Sequence, residues 1–146
     1  MKLLLLLFIF LTSCTPQSET RRHHGVAMTI EYNILVDNNS SADLVDTIIQ
    51  ETFLEVNAIY NKWNPHSELS RLNQSKGGRY AVSPKLEKLL LLTDRVVSIT
   101  EGRFDPTIEP LQRLYKEGAP TPEKTAQINI GWDKIRLTPG HIEKQD

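Results

Sequence analysis

Cysteine occurs once, at Cys14, so no internal disulfide can form. No apolar run reaches the roughly 20 residues that a bilayer-spanning helix needs; the longest, Leu3 to Leu11, is about half that. Neither charge sign dominates. The formal net charge is -1, which excludes a polybasic surface built for nucleic acid or anionic lipid. There is no P-loop, no GxGxxG, no GxSxG and no Cys–His pair. Histidine is sparse as well. His23 and His24 are adjacent and would point opposite ways in an extended segment, while His66 and His141 have no partner at metal-ligand spacing. No metal site is therefore assigned within the chain, and its 146 residues suit one domain.

What is present begins with "MKLLLLLFIFLTSC". Lys2 is a short positive region, and Leu3 to Leu11 has the length of a secretory hydrophobic segment. Leu11-Thr12-Ser13-Cys14 resembles a bacterial lipobox. An ordinary cleavage site of the Ala-x-Ala type is absent, since no Ala precedes Ala27. Residues 1–13 read as a lipoprotein signal peptide, and Cys14 as the lipid-bearing residue, with acyl chains as the anchor. Removing residues 1–13 takes out Lys2 and moves the net charge from -1 to -2. Residues 14–24 read as the lipidated Cys and a polar tether, in which His23 and His24 would be solvated. Residues 25–146 form the domain.

Within it, Gly25 to Asp37 is rich in β-branched and aromatic residues and reads as a strand. Ser40 or Ser41 then caps a helix whose stripe is Val45, Ile48, Ile49, Phe53, Val56, Ile59 and Tyr60. "KWNPHSELSRLNQSKGGR" is loop-like, with one helical turn at Ser67 to Leu72, and Tyr80-Ala81-Val82 is a short strand. Ser83-Pro84 starts a second long helix with the stripe Leu86, Leu89, Leu90, Thr93, Val96 and Val97. Gly102 falls where a helix-ending C′ glycine is expected. "TIEPLQRLYKEG" holds a short helix, Thr121 caps another, and "KIRLTPG" is a strand. Two amphipathic helices need a larger sheet to cover than these strands supply.

Two loops are candidates for chemistry. Trp63, ahead of Pro65 in a polar loop, is either a lid on the core or a stacking platform for a planar ligand; taken alone, the lid is favoured. Asp105 precedes Pro106, which pushes its backbone to an extended conformation. With Pro110 nearby the loop is stiff, so it loses less entropy when ordered around a ligand. Taken alone, Asp-Pro is a turn.

In combination, the lipobox, "MTIEY", "WNPHSELSRLN" and "GRFDPTIEPL", in this order and at these intervals, resemble the ApbE family of FAD:protein FMN transferases. The resemblance runs from about Gly25 to Leu137. It implies an α+β fold in which a mixed or antiparallel sheet packs against long helices, of the ApbE or T-fold-like kind and incomplete in this chain. It implies Mg²⁺-dependent transfer of FMN from FAD to a Thr or Ser hydroxyl of target flavoproteins, with FAD as substrate and Mg²⁺ ligands further downstream. Residue by residue, Met28 matches a flavin-contacting Met and Trp63 an aromatic placed against FAD. Arg103, Phe104 and Asp105 match the tripeptide that lines the FAD site; Ser67, Glu68 and Asn73 match positions that brace the loop. Thr29 and Ile30 stand where the family has Gly-Thr, Arg103 where it has Ala, and Glu109 where it has Gly. The implied setting is the bacterial cell envelope: lipid-anchored, facing the periplasm at the inner membrane. Because the family's metal site lies downstream, no turnover is expected of this chain alone. The alternative is an envelope lipoprotein that binds a flavin or a partner without catalysis.

Overall fold

The computed structural model describes residues 19–118 and 121–145. Cys14, the signal residues and tether residues 15–18 lie outside the described residues. The architecture is α+β with antiparallel sheets, as expected. The chain forms two compact units, one ending at Glu55 and the other beginning at Val56.

In the first unit, β1 (Thr20–Ala27) and β2 (Ile30–Asp37) pair antiparallel from Thr20↔Asp37 to Ala27↔Ile30. This corrects two expectations. The strand read over Gly25 to Asp37 is a hairpin broken at Met28–Thr29, and residues 20–24 of the expected tether are strand. The cause is alternation across the hairpin: Arg21, His23 and Gly25 share one face with Val36, Ile34 and Tyr32. His23 is buried there rather than solvated, and its Nδ1 lies 2.6 Å from Asp46 Oδ1. The Tyr32 ring covers Gly25, where an added Cβ would lie 2.7 Å from the phenol oxygen. The same ring meets Phe53 with centroids 4.9 Å apart.

The turn is the strained part of the hairpin. A two-residue connection of this twist needs positive φ at both central residues, and Asn-Gly is its usual solution. Here Met28 has φ 49° and Thr29 φ 67°, the second a β-branched residue in a region that sterics oppose. Thr29 Oγ1 donates to Met28 O at 2.6 Å, a local compensation. Thr29→Gly is expected to stabilise the hairpin by about 1 kcal/mol, read as a rise in melting temperature, and Thr29→Val to lower it.

Helix α1 (Ala42–Ile59) follows, with Ser41 O accepting from Val45 N at 3.1 Å. Ile49 is buried, and Val45, Phe53, Val56 and Ile59 are half-buried, as the stripe predicts; Ile48 is exposed instead.

The second unit holds α2 (Glu68–Gln74), β3 (Gly78–Ala81), α3 (Pro84–Ile99), α4 (Glu109–Lys116), α5 (Pro122–Ala126), a 3-10 turn over Trp132–Lys134, β4 (Ile135–Thr138) and β5 (His141–Lys144). Its sheet runs β3-β5-β4, antiparallel throughout. At one level Tyr80, Ile142 and Leu137 align across the three strands. They pack toward Leu72, Leu86 and Leu90, with Leu86 0% and Ile142 2% exposed. Lys144 Nζ bonds Leu72 O at 2.8 Å and Ser75 O, neutralising carbonyls at the C-terminal end of α2. Gly140 N donates to Glu87 Oε1 at 2.8 Å, and Trp132 Nε1 to Asp94 Oδ1 at 2.8 Å, so the β4–β5 hairpin and the 3-10 turn are both tied to α3.

Helix α3 opens as its sequence dictates, with Ser83 Oγ accepting from Leu86 N and Pro84 at the first helical position. Its end differs in detail. Glu101 N donates to Ser98 O and Gly102 N to Val97 O, the bond pair of a Schellman motif. Glu101 therefore takes the C′ place, with φ 52°, and Gly102 follows it with φ 76°. Opposite its buried stripe, α3 leaves Leu91, Leu92 and Ile99 in solvent.

Candidate functional site

The loop Asn61 to Ser67 is built from short side chains that replace regular backbone bonds. Trp63 N donates to Asn61 Oδ1 at 3.0 Å and His66 N to Asn64 Oδ1 at 3.0 Å. Both are local Asx bonds that fix a turn without a glycine. Asn64 Nδ2 reaches back to Asn57 O at 3.1 Å. Ser67 is fully buried; its Oγ donates to Asn61 O at 2.8 Å and accepts from Ser70 N at 3.1 Å. Ser70 Oγ donates to Lys62 O at 3.0 Å, and Arg71 Nη1 to His66 O at 2.9 Å. The loop is thus held from the ends of both neighbouring helices. Ser67 braces it as expected; Glu68 bonds Ser83 instead of the loop, and Asn73 is exposed.

Glu68 carries the longest-range of these ties. Its Oε1 accepts from Ser83 N and its Oε2 from Ser83 Oγ, both at 2.6 Å. The first residue of α2 thereby holds the N-cap of α3.

On this braced loop Trp63 is 79% exposed, which overturns the reading of it as a lid on the core. Lys62 Nζ lies 4.7 Å from the centroid of its ring. An indole held in solvent on a rigid loop is a stacking surface for a planar group.

The second candidate loop leaves the Schellman end of α3. Arg103 N donates to Thr100 O at 3.0 Å and Phe104 N to Thr100 Oγ1 at 3.2 Å. Arg103 and Phe104 are exposed, and Asp105 is half-buried. Asp105 Oδ1 accepts from Thr107 N at 2.8 Å and from Thr107 Oγ1 at 2.7 Å. Thr107 Oγ1 in turn accepts from Gly131 N at 2.7 Å. The carboxylate thus clamps the Pro106 turn through one oxygen and leaves Oδ2 as the atom that can meet a hydroxyl or ring N–H. The sequence suggested the turn and the carboxylate but not the Thr107–Gly131 tie, which joins residues 24 apart.

Met28 lies in the first unit, at the hairpin turn, and Trp63, Arg103, Phe104 and Asp105 lie in the second. Two concave regions of the second unit, about 270 Å³ beside Pro110, Arg113 and Lys124 and about 380 Å³ beside Arg79, Arg136 and Glu143, include none of these four. Among the described residues no group of three or more His, Cys, Asp or Glu side chains is placed to hold a metal ion. No described residue is assigned to Mg²⁺.

Comparison with known proteins bears on both loops. The model of the ApbE family matches residues 25–146. A relative from Chlamydia muridarum named FAD:protein FMN transferase is 32% identical over 145 residues, covering 91% of this chain and 46% of its own length. One of the same name from Chlamydia pneumoniae is 36% identical over 116 residues, covering 77% and 36%. Among solved structures, the flavin transferase ApbE from Vibrio cholerae superposes with a TM-score of 0.75 at 25% identity, over 88% of this chain and 46% of that one. The Pseudomonas stutzeri flavinyl transferase ApbE shares the fold, with a TM-score of 0.75 at 16% identity. The chain spans less than half the length of these relatives.

Proposed function

The chain belongs to the ApbE family, and from that premise we propose that it supplies the N-terminal, flavin-binding part of an FAD:protein FMN transferase. The observation that carries the reading is the pair of braced loops at the family's motif positions, one presenting Trp63 and the other Phe104 and Asp105. Trp63 stacks on a ring of FAD, Asp105 Oδ2 accepts from a hydroxyl or ring N–H, and Phe104 adds apolar contact. By the family match alone Met28 is assigned to the flavin nucleotide, and Arg103 brings a cation beside Phe104 and Asp105. In the reaction, a Thr or Ser oxygen of the target flavoprotein bonds the phosphorus on the flavin side of the FAD pyrophosphate. The bond to AMP breaks, the hydroxyl proton is lost, and FMN remains on the target. Mg²⁺, when bound by the whole enzyme, would supply charge neutralisation to that pyrophosphate. The shared span and the exposed Leu91, Leu92 and Ile99 of α3 both support a domain larger than the described residues.

The test is incubation of the chain with FAD, Mg²⁺ and a target domain carrying the acceptor Thr. FAD binding without transfer is expected. Covalent FMN on the target would overturn the partial-domain reading, and absence of FAD binding would overturn the flavin reading. Asp105→Ala removes both the Thr107 clamp and the ligand acceptor, so FAD affinity is expected to fall about tenfold, or about 1.4 kcal/mol. An unchanged affinity in a fluorescence titration would remove Asp105 from the site.

We further propose, from the lipobox-like Leu11-Thr12-Ser13-Cys14, that the protein is anchored through lipid on Cys14 at the inner membrane, facing the periplasm. Cys14→Ser would then move it from the membrane to the soluble fraction; retention in the membrane would count against the anchor.

A further inference from the structure

Lys62 precedes the stacking residue of the Trp63 loop, and three observations set it apart. Its Nζ lies 4.7 Å from the centroid of the Trp63 ring, a cation–π distance. Among the described residues no carboxylate pairs with it. Its carbonyl is fixed by Ser70 Oγ at 3.0 Å, so the side chain springs from a held backbone. The neighbouring cation is committed elsewhere, since Arg71 Nη1 bonds His66 O at 2.9 Å. Glu68, the nearest carboxylate in sequence, has both oxygens on Ser83. An unpaired ammonium therefore stands beside an indole that is 79% exposed.

An indole has two faces. With the ammonium over one, the other is open to a planar ligand. In any nucleotide a sugar or ribityl chain separates ring from phosphate, a span within the sweep of a lysine side chain. From this geometry we infer that Lys62 reads the phosphate of a ligand whose ring stacks on Trp63, making the loop selective for phosphorylated flavins and nucleotides over their unphosphorylated forms. The cation–π contact keeps the ammonium near the ring, so less side-chain freedom is lost when the phosphate arrives. This rests on the flavin reading of the Trp63 loop but adds a role that the ring alone does not supply.

The experiment measures dissociation constants for riboflavin, FMN and FAD, and for adenosine and AMP, on the full chain, Lys62→Gln and Lys62→Arg. Lys62 is exposed, so the variants are expected to fold, with unchanged circular dichroism and melting as the check. Lys62→Gln is expected to weaken FMN and FAD about three- to tenfold and leave riboflavin unchanged. Lys62→Arg is expected to retain most of the affinity. The difference should shrink in 0.5 M salt, because exposed charge pairs are screened. Equal weakening of riboflavin and FMN, or no effect on either, would overturn the inference while leaving the flavin reading standing. If no flavin binds the parent chain, the flavin reading fails and the adenosine–AMP pair decides Lys62 alone. If none of the five compounds binds, both fail.

Discussion

Leu86→Ala is expected to destabilise the second unit by about 3 kcal/mol, within the range of roughly 2–5 kcal/mol for buried Leu truncations. Leu86 is 0% exposed and packs with Leu72, Leu90 and Ile142. Its removal opens a cavity between α3 and the sheet that those neighbours cannot fill without leaving their rotamers. A domain of this size holds only about 5–15 kcal/mol in total, so the loss is a large fraction. The consequence reaches function because α3 organises both candidate loops. Its N-cap Ser83 is bound by Glu68, and its C-terminal end launches Arg103 to Asp105. Urea denaturation of the parent and variant gives the difference. Leu91→Ala on the opposite, solvent-facing side of the same helix is the control and should shift stability by less than about 0.5 kcal/mol. Similar losses for both would mean that the stripe assignment is wrong.

What the sequence disclosed and what it hid divide by range of interaction. Helix starts were legible because their chemistry is local: Ser83-Pro84, Ser67 and Thr121 each cap the next turn through a bond spanning three residues. The family motifs were legible because they lie in loops whose shape depends on such local bonds. The hairpin turn was not legible, since Met28-Thr29 carries neither Gly nor Asn and adopts positive φ only because the eight paired positions of β1 and β2 impose it. Strand β5 is illegible for the same kind of reason. "HIEK" is four residues with one apolar side chain, and only its place between β3 and β4 makes it a strand. Gly102 drew the C′ assignment because Gly is the usual residue there, yet Glu101 takes the position and Gly102 the next. His23 stands in a stretch with the composition of a polar tether, and only the register puts it on the buried face, opposite Ile34 and within reach of Asp46. At the candidate site, residue identities followed from motif matching. Their exposures did not: Trp63 is 79% exposed on a loop whose shape is set by its own Asn and Ser side chains, which composition does not disclose.

The clearest non-local element is Glu68, and its removal carries the second large expected effect. Glu68→Ala should cost about 2–3 kcal/mol, because it deletes two charge-assisted hydrogen bonds and leaves Ser83 N half-buried without its acceptor. Glu68→Gln separates the two bonds. The amide oxygen can still accept from Ser83 N, but the amide nitrogen is a donor and cannot accept from Ser83 Oγ. The hydroxyl must then accept from the amide while it also caps α3 through Leu86 N at 3.2 Å. About half the loss, roughly 1–1.5 kcal/mol, is expected for Gln. Salt distinguishes this from an ion pair. Both partners on Ser83 are neutral, so the destabilisation measured in urea should be nearly the same in 0.05 M and 0.5 M salt, whereas a surface ion pair would be screened. A loss that vanishes at high salt would show that Glu68 acts through its charge on a distant cation, not through the cap of α3. A loss that persists while FAD affinity also falls would tie the Ser83 cap to the Trp63 loop, because Glu68 is the first residue of the helix that Ser67 begins.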